Sequence, residues 1–248
     1  MEKKFYKTIT PYFDLIFPAE PRQVDFIISS ITDATETKSI LDVGCGTGNL
    51  SFGLLPHFQK VVGIDFDAEM IKKAKAKIIN SELAVNFMTL DMLSIEKQFG
   101  HGSFDFIACF GNTLVHLINI TEIENFLTQA KNVLKPGGKL FIHNINYDRV
   151  LEKKLAGLPA IENDRIKFER IYKIHPGEKL VDFETVLTVK ETNIVIKNKV
   201  ELYPLKESKL RGLLAEIGFI NTFTYGDFKK GEVSLEKRPL ILETTKKS

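Results

Sequence analysis

Tryptophan is absent, cysteine occurs twice, and no stretch reaches the ~18 consecutive apolar residues of a membrane span. Cys45 and Cys109 cannot build a disulfide framework or a four-cysteine zinc site, and no His/Cys cluster has metal-ligand spacing, so no metal is expected. Residues 1–17 lack the uninterrupted apolar core of a signal peptide. These absences predict a soluble protein of a reducing cytoplasm. An excess of charge is also missing: 34 Lys and Arg against 32 Asp and Glu leave +2, so neither nucleic acid nor an anionic membrane is an expected partner. With 44% hydrophobic and 27% charged residues, disordered and fibrous classes are excluded. A chain of 248 residues fits one α/β domain carrying an insertion, read here as one domain over 1–248. Phenylalanine is frequent at 19, which points to aromatic packing or an aromatic pocket.

From Ser39 to Asn144 short apolar runs alternate with helical patterns, the signature of βαβ units and a parallel sheet covered on both faces. Strands are expected at Ser39–Val43, Lys60–Ile64, Val85–Met88, Phe104–Cys109 and Lys139–Asn144. The spacing predicts a helix over 67–80, with Asp67 as N-cap and Met70, Ile71, Ala74 and Ile78 on one face. A second is expected over Ile120–Leu134, opened by a Thr121–Glu124 capping box and stopped before Pro136-Gly137-Gly138.

After Asn144 the pattern changes to β-rich, alternating stretches at Arg165–Ile174, Leu180–Thr188 and Asn193–Tyr203, as in an antiparallel meander. The expected organisation is an aromatic arm and helix over 1–38, a ligand-binding core over 39–144, a β lid over 145–205, and a helix with two last strands over 206–248. The final helix runs through Leu210, Leu213, Leu214 and Ile217 to a Gly218 cap, followed by strands at Phe219–Tyr225 and Pro239–Thr244.

The chemistry-bearing segment is Asp42-Val43-Gly44-Cys45-Gly46-Thr47-Gly48-Asn49. A buried strand runs into glycines at alternate positions, so the backbone can turn tightly and approach a ligand where a Cβ would collide. A helix begins near Asn49, and the next strand ends in Asp65, an acid suited to accept both hydroxyls of a ribose. Strand, glycines, helix, strand and acid in this order indicate a nucleoside-containing ligand. A dinucleotide fingerprint puts its third glycine at position 49, where this chain has Asn.

The run from Asp42 to Gly48 resembles motif I of class I S-adenosylmethionine-dependent methyltransferases. Asp65, Asp91-Met92 after the third strand, and Leu134-Lys135-Pro136-Gly137-Gly138 fall where that family has its next motifs. The resemblance implies an α/β, Rossmann-like doubly wound sheet of seven strands, mostly parallel with the last strand antiparallel, and an antiparallel β insertion after strand five. S-adenosyl-L-methionine is then the cofactor and S-adenosyl-L-homocysteine the product. Carried over, cofactor contacts fall on Asp42, Gly44, Cys45, Gly46, Thr47, Gly48 and Asn49 in the turn, and on Asp65, Phe66 and Met70 beyond it. Asp91, Met92 and Leu93 would bracket the adenine, and Phe110 and Gly111 would follow the fourth strand.

Phe110-Gly111-Asn112-Thr113-Leu114-Val115-His116 is similar to the Gly-Asn-Ser/Thr…His segment of glycine N-methyltransferases, which faces the transferred methyl. This implies Asn112 against a polar substrate group and His116 as the candidate base. The alternative for His116 is packing against the following helix. Asn144 and Tyr147 after the fifth strand, with His143, are candidate specificity residues, as are Tyr6 and Tyr12 of the aromatic arm. Arg22 is a candidate partner for the methionine carboxylate. Cys109 is read as a strand-end thiol and not a nucleophile. The favoured reading is methyl transfer to a small polar acceptor, an amine, amino acid or hydroxyl compound. Methylation of a protein or RNA, a nicotinamide-dependent oxidoreductase on the same sheet, and a cofactor-binding protein without transferase activity stand as alternatives.

Overall fold

The computed structural model describes residues 8–31, 38–79, 83–175, 177 and 179–248. Tyr6, Asn80, Pro176 and Glu178 lie outside them. Eleven strands occur among the described residues: β1 Ser39–Val43, β2 Lys60–Asp65, β3 Val85–Thr89, β4 Phe104–Cys109, β5 Leu134–Ile145, β6 Gly157–Glu162, β7 Ile166–Ile174, β8 Val181–Val189, β9 Ile194–Leu202, β10 Phe219–Tyr225 and β11 Pro239–Lys246. Seven form one sheet in the order β10-β11-β5-β4-β1-β2-β3, and β6-β7-β8-β9 form a second. In the large sheet β3, β2, β1, β4 and β5 run parallel, while β11 is antiparallel to both β5 and β10. Fully or nearly fully buried strands such as β1 and β4 are what a sheet covered on both faces requires.

The chain winds from β1 outward through β2 to β3, then returns to place β4 on the other side of β1. The order therefore reverses between β1 and β4, and the carboxyl ends of these two strands diverge into a crevice. That switch point positions everything described below.

Local chemistry explains most element boundaries. Asp67 Oδ1 accepts from the Glu69 and Met70 amides at 2.8 and 3.2 Å, opening the Ala68–Ala76 helix, which buries Met70, Ile71 and Ala74. The expected capping box does not form. Asn119, held extended at φ −140°, caps the Ile120–Val133 helix through Glu122 N at 2.9 Å, and Thr121 is already inside the first turn. Pro136-Gly137-Gly138 does not separate helix from strand either. β5 starts at Leu134, and the turn is extruded as an irregularity between the pairs Phe104–Leu134 and Phe106–Lys139.

The insertion has four strands where the sequence suggested three. β6 carries Gly157 and Pro159, which obscure a strand pattern. It sits at a sheet edge, where a missing amide is tolerated, and its register slips between Leu158 and Ile161. The inner face of this second sheet presents Phe168, Tyr172, Phe183 and Val200 toward the crevice. No helix among the described residues is long and apolar enough to cross a membrane.

Candidate active site

The glycine turn is pinned to β2. Gly44 N and Cys45 N both donate to Ile64 O, at 2.8 and 2.9 Å. Gly44 has φ +72° and Gly46 φ +55°, conformations open to glycine. A Cβ on Gly44 would lie 2.4 Å from Thr113 Cγ2, so the loops after β1 and β4 touch. On Gly48, at φ +83°, it would lie 2.6 Å from the Phe87 ring. The turn thus has no room for a side chain at either position, because it packs directly on Thr113 and Phe87.

Asp65 stands at the end of β2 with one carboxylate oxygen on Gly46 N and the other on Asp67 N, both at 2.9 Å. Burial pushes it up to about 6, against the backbone donors that stabilise its charge. The Phe66 amide adds a third backbone donor, which leaves one of the carboxylate's roughly four acceptor positions for a hydroxyl at the crevice. Behind it, Asp42 is buried on β1 and accepts from Ser51 Oγ at 2.6 Å. Burial raises Asp42 to about 7, with the neighbouring Asp65 charge adding to the effect. The Cys45 and Cys109 thiols are buried and pushed upward, which makes both poor nucleophiles.

These groups border one crevice of about 1560 Å³, larger than the roughly 300–1,000 Å³ of a pocket for one small ligand. It has room for two. Of the candidate residues, Arg22, Asp42, Gly44, Cys45, Gly46, Asn49, Asp65, Phe66, Met70, Asp91, Met92, Phe110, Gly111, Asn112 and His116 line it. Thr47, Gly48, Leu93, Tyr12, Asn144 and Tyr147 do not. Thr47 is buried and donates to Asp14, and Leu93 borders a separate shallow hollow with His101 and Gln129. Asn144 and Tyr147 are fully buried. Arg22 is paired with Glu20, its Nε donating to Oε1 at 2.8 Å.

The N-terminal arm is strapped over the glycine turn. Asp14 accepts from Thr47 and from Asn49 Nδ2 at 3.0 Å, and pairs with Lys77 at 2.9 Å. Burial opposes the charge, yet the Thr47 and Lys77 hydrogen bonds outweigh it and hold Asp14 below its ordinary value. Asn49 also donates to Phe17 O at 2.9 Å, so it ties the arm as well as bordering the crevice.

On the β4 side, Asn112 adopts φ +70° and spends its amide on structure. Its Oδ1 accepts from Ile145 N at 3.0 Å and its Nδ2 donates to the Tyr147 hydroxyl at 3.2 Å. Tyr147 is in turn hydrogen-bonded to Tyr172, whose phenol burial pushes up to about 12. Burial depresses both His116 and His143 to about 4, so both imidazoles are neutral near pH 7. His143 Nδ1 accepts from Gly111 N at 3.4 Å, and its ring packs against Phe228 with centroids 5.0 Å apart.

Phe228 and Arg238 of the β10–β11 loop, and Arg170 and Tyr172 of β7, border the crevice without having been singled out from sequence. A signal for the β7 pair existed: Arg170 occupies an inward position between Phe168 and Tyr172, where alternation calls for an apolar residue.

The doubly wound sheet, the glycine cradle at its switch point and the acid ending β2 define an α/β nucleoside-binding protein. Residues 40–138 match the family described as methyltransferase domain. A glycine/sarcosine N-methyltransferase of Halorhodospira halochloris is 30% identical over 83% of this chain and 74% of its own length. A ubiquinone biosynthesis O-methyltransferase of Coxiella burnetii is 32% identical over 64% of this chain and 65% of its own. An S-adenosylmethionine-dependent methyltransferase structure from Clostridium acetobutylicum superposes with a TM-score of 0.80 at 19% identity, covering 98% of this chain and 99% of that one. The chain belongs to the class I S-adenosylmethionine-dependent methyltransferases. It is an enzyme, and S-adenosylmethionine is its cofactor.

Proposed function

We propose that this enzyme methylates a small polar molecule carrying an amine, as in an amino acid, with a hydroxyl acceptor as the second choice. The observation that carries the reading is the aromatic lining of one recessed crevice: Phe168, Tyr172 and Phe183 of the second sheet and Phe228 of the β10–β11 loop line the same crevice that Asn112 and His116 border, a concave site suited to a small molecule. The glycine and sarcosine specificity in the name of the Halorhodospira relative supports a nitrogen acceptor, and the O-methyltransferase relative keeps the hydroxyl alternative.

Under this reading the glycine turn and Asp65 hold the nucleoside, Asp91 and Met92 flank its base, and Arg22 takes the amino-acid tail after leaving Glu20. The cofactor supplies a methyl on a positive sulfur. Catalysis by the chain is then mainly alignment and exclusion of water. His116, neutral above about pH 4, accepts a hydrogen bond from the acceptor's N–H and turns its lone pair toward the methyl. Asn112 acts one step back, holding the end of β5 and the Tyr147 hydroxyl.

Incubation with the methyl donor and a panel of amines, amino acids and phenols should give a donor-dependent methylated product by mass spectrometry. His116→Ala should lower kcat by about tenfold or more, the scale of one lost proton-directing contact, and leave S-adenosylhomocysteine binding intact. If the protein binds S-adenosylhomocysteine yet methylates only a protein or RNA, the small-acceptor reading is wrong.

A further inference from the structure

Five cationic side chains border the crevice: Arg22, Arg170, Lys199, Lys237 and Arg238. Three have their charge matched nearby. Arg22 is paired with Glu20, Lys199 with Asp182 at 2.6 Å, and Lys237 with Asp227 at 2.8 Å. Among the described residues no carboxylate pairs with Arg170 or Arg238.

Arg170 is the more unusual of the two. It stands on the inner face of β7, directly across from Thr185 of β8, with Phe168 and Tyr172 two residues to either side. Its Nη2 donates to Pro159 O, but its Nε is buried and has no hydrogen-bond partner. Thr185 Oγ1 in the neighbouring position is likewise buried and unpartnered. Arg238 approaches from the β10–β11 loop, fixed by its own carbonyl, which accepts from Asn146 N at 2.8 Å. Both side chains border the same crevice, and burial first, then to a smaller extent the Arg238 charge, disfavours the charged form of Arg170 against the opposing influence of Tyr172. A guanidinium keeps its proton near neutral pH, so an anion in the crevice beside both would offset their charges and give the unpartnered Arg170 Nε an acceptor. Planar N–H forks match a carboxylate or a phosphoryl group in two parallel bonds.

We infer that Arg170 and Arg238 form an oxyanion subsite for the acceptor, so that the molecule methylated carries a carboxylate or a phosphoryl group at the end remote from its nucleophile. The inference rests on the small-acceptor reading and narrows it. It separates the two ends of the acceptor: the nucleophile beside His116, the anion beneath the second sheet. Neutral amino sugars and simple phenols are then poor substrates.

The test uses matched acceptors that differ in one group: an amino acid, its uncharged amide and the corresponding aminoalkylphosphonate. The expected result is that one anionic member exceeds the amide in kcat/KM by about tenfold or more, the worth of a charge-assisted hydrogen bond. The preferred anion identifies the source. In Arg170→Gln the ratio of anionic to amide kcat/KM should fall about tenfold, with Arg170→Lys restoring part of it. Arg238→Gln, on an exposed loop, should fold normally and shift the ratio in the same direction. Calorimetry gives a readout without turnover: the non-nucleophilic probes propionate and methylphosphonate should bind the S-adenosylhomocysteine complex and lose affinity in both variants. Equal turnover of amide and anion, or no probe binding to the wild type, overturns the subsite. A rise in the Kd of S-adenosylhomocysteine in Arg170→Gln also overturns it, by assigning the arginine to the cofactor's own carboxylate. Probe binding without methylation of any small molecule keeps the subsite and discards the small-acceptor reading.

Discussion

Gly46 N donates to Asp65 Oδ2 at 2.9 Å, so the residue proposed to hold the nucleoside also braces the glycine turn beside it. Removing the carboxylate therefore does two things at once. Asp65→Ala should weaken S-adenosylhomocysteine binding by about a hundredfold, two charge-assisted contacts being lost, and loosen the turn. Asp65→Asn, which still accepts one amide, should lose less. Since burial raises Asp65 to about 6, calorimetric affinity should decline as the pH drops below that value.

Asp42 gives a separate prediction on stability. Its folded-state value of about 7 lies above the 3.8 of a free carboxyl, so the folded chain holds this proton more tightly than the unfolded one. The stability it contributes is complete below about pH 4 and is lost as the pH rises through about 7. The slope is at most about 1.4 kcal/mol per pH unit for one group. Asp42→Asn, which can still accept from Ser51, should flatten the unfolding free energy over that window relative to wild type in urea titrations. Parallel curves for the two proteins would exclude the effect.

Release of the arm is the third. Asp14→Ala removes the acceptor shared by Thr47, Asn49 and Lys77. Hydrogen exchange should accelerate in residues 9–17 while β1 and β4 stay protected, and the off-rate of S-adenosylhomocysteine should rise several-fold. Unchanged exchange in the arm would show that its other ties suffice, among them Asn49 Nδ2 to Phe17 O at 2.9 Å and Phe17 against Phe168 with ring centroids 5.8 Å apart.

Asn144 is fully buried on β5, and among the described residues neither its Oδ1 nor its Nδ2 has a hydrogen-bond partner. An unpaired buried amide costs about 1–3 kcal/mol, which an apolar residue of similar volume recovers. Asn144→Leu should raise the thermal midpoint and leave the acceptor KM unchanged. A loss of activity with a gain in stability would instead mark Asn144 as a group that turns toward substrate.

The parts of the fold legible in sequence are those set by neighbours in the chain. The glycine turn, the Asp67 cap, the Gly218 stop and the parallel strands all follow from local spacing. What escaped depended on distant partners. β6 is a strand because β7 lies beside it, and the Asn112 amide, expected against a polar substrate group, serves Ile145 and Tyr147 because β5 ends next to it. Arg170 and Arg238 border one crevice only once the insertion folds back over the sheet. The Arg22 guanidinium is visible in sequence, but no periodicity shows that Glu20, two residues earlier, holds it.

Because β11 pairs directly with β5, the seven-stranded sheet closes without a single ladder bond from β6 to β9. The roof above the crevice can thus be recut by mutation while its foundation keeps every rung. Descendants of one such scaffold are free to drift from one metabolite to another without relearning how to fold.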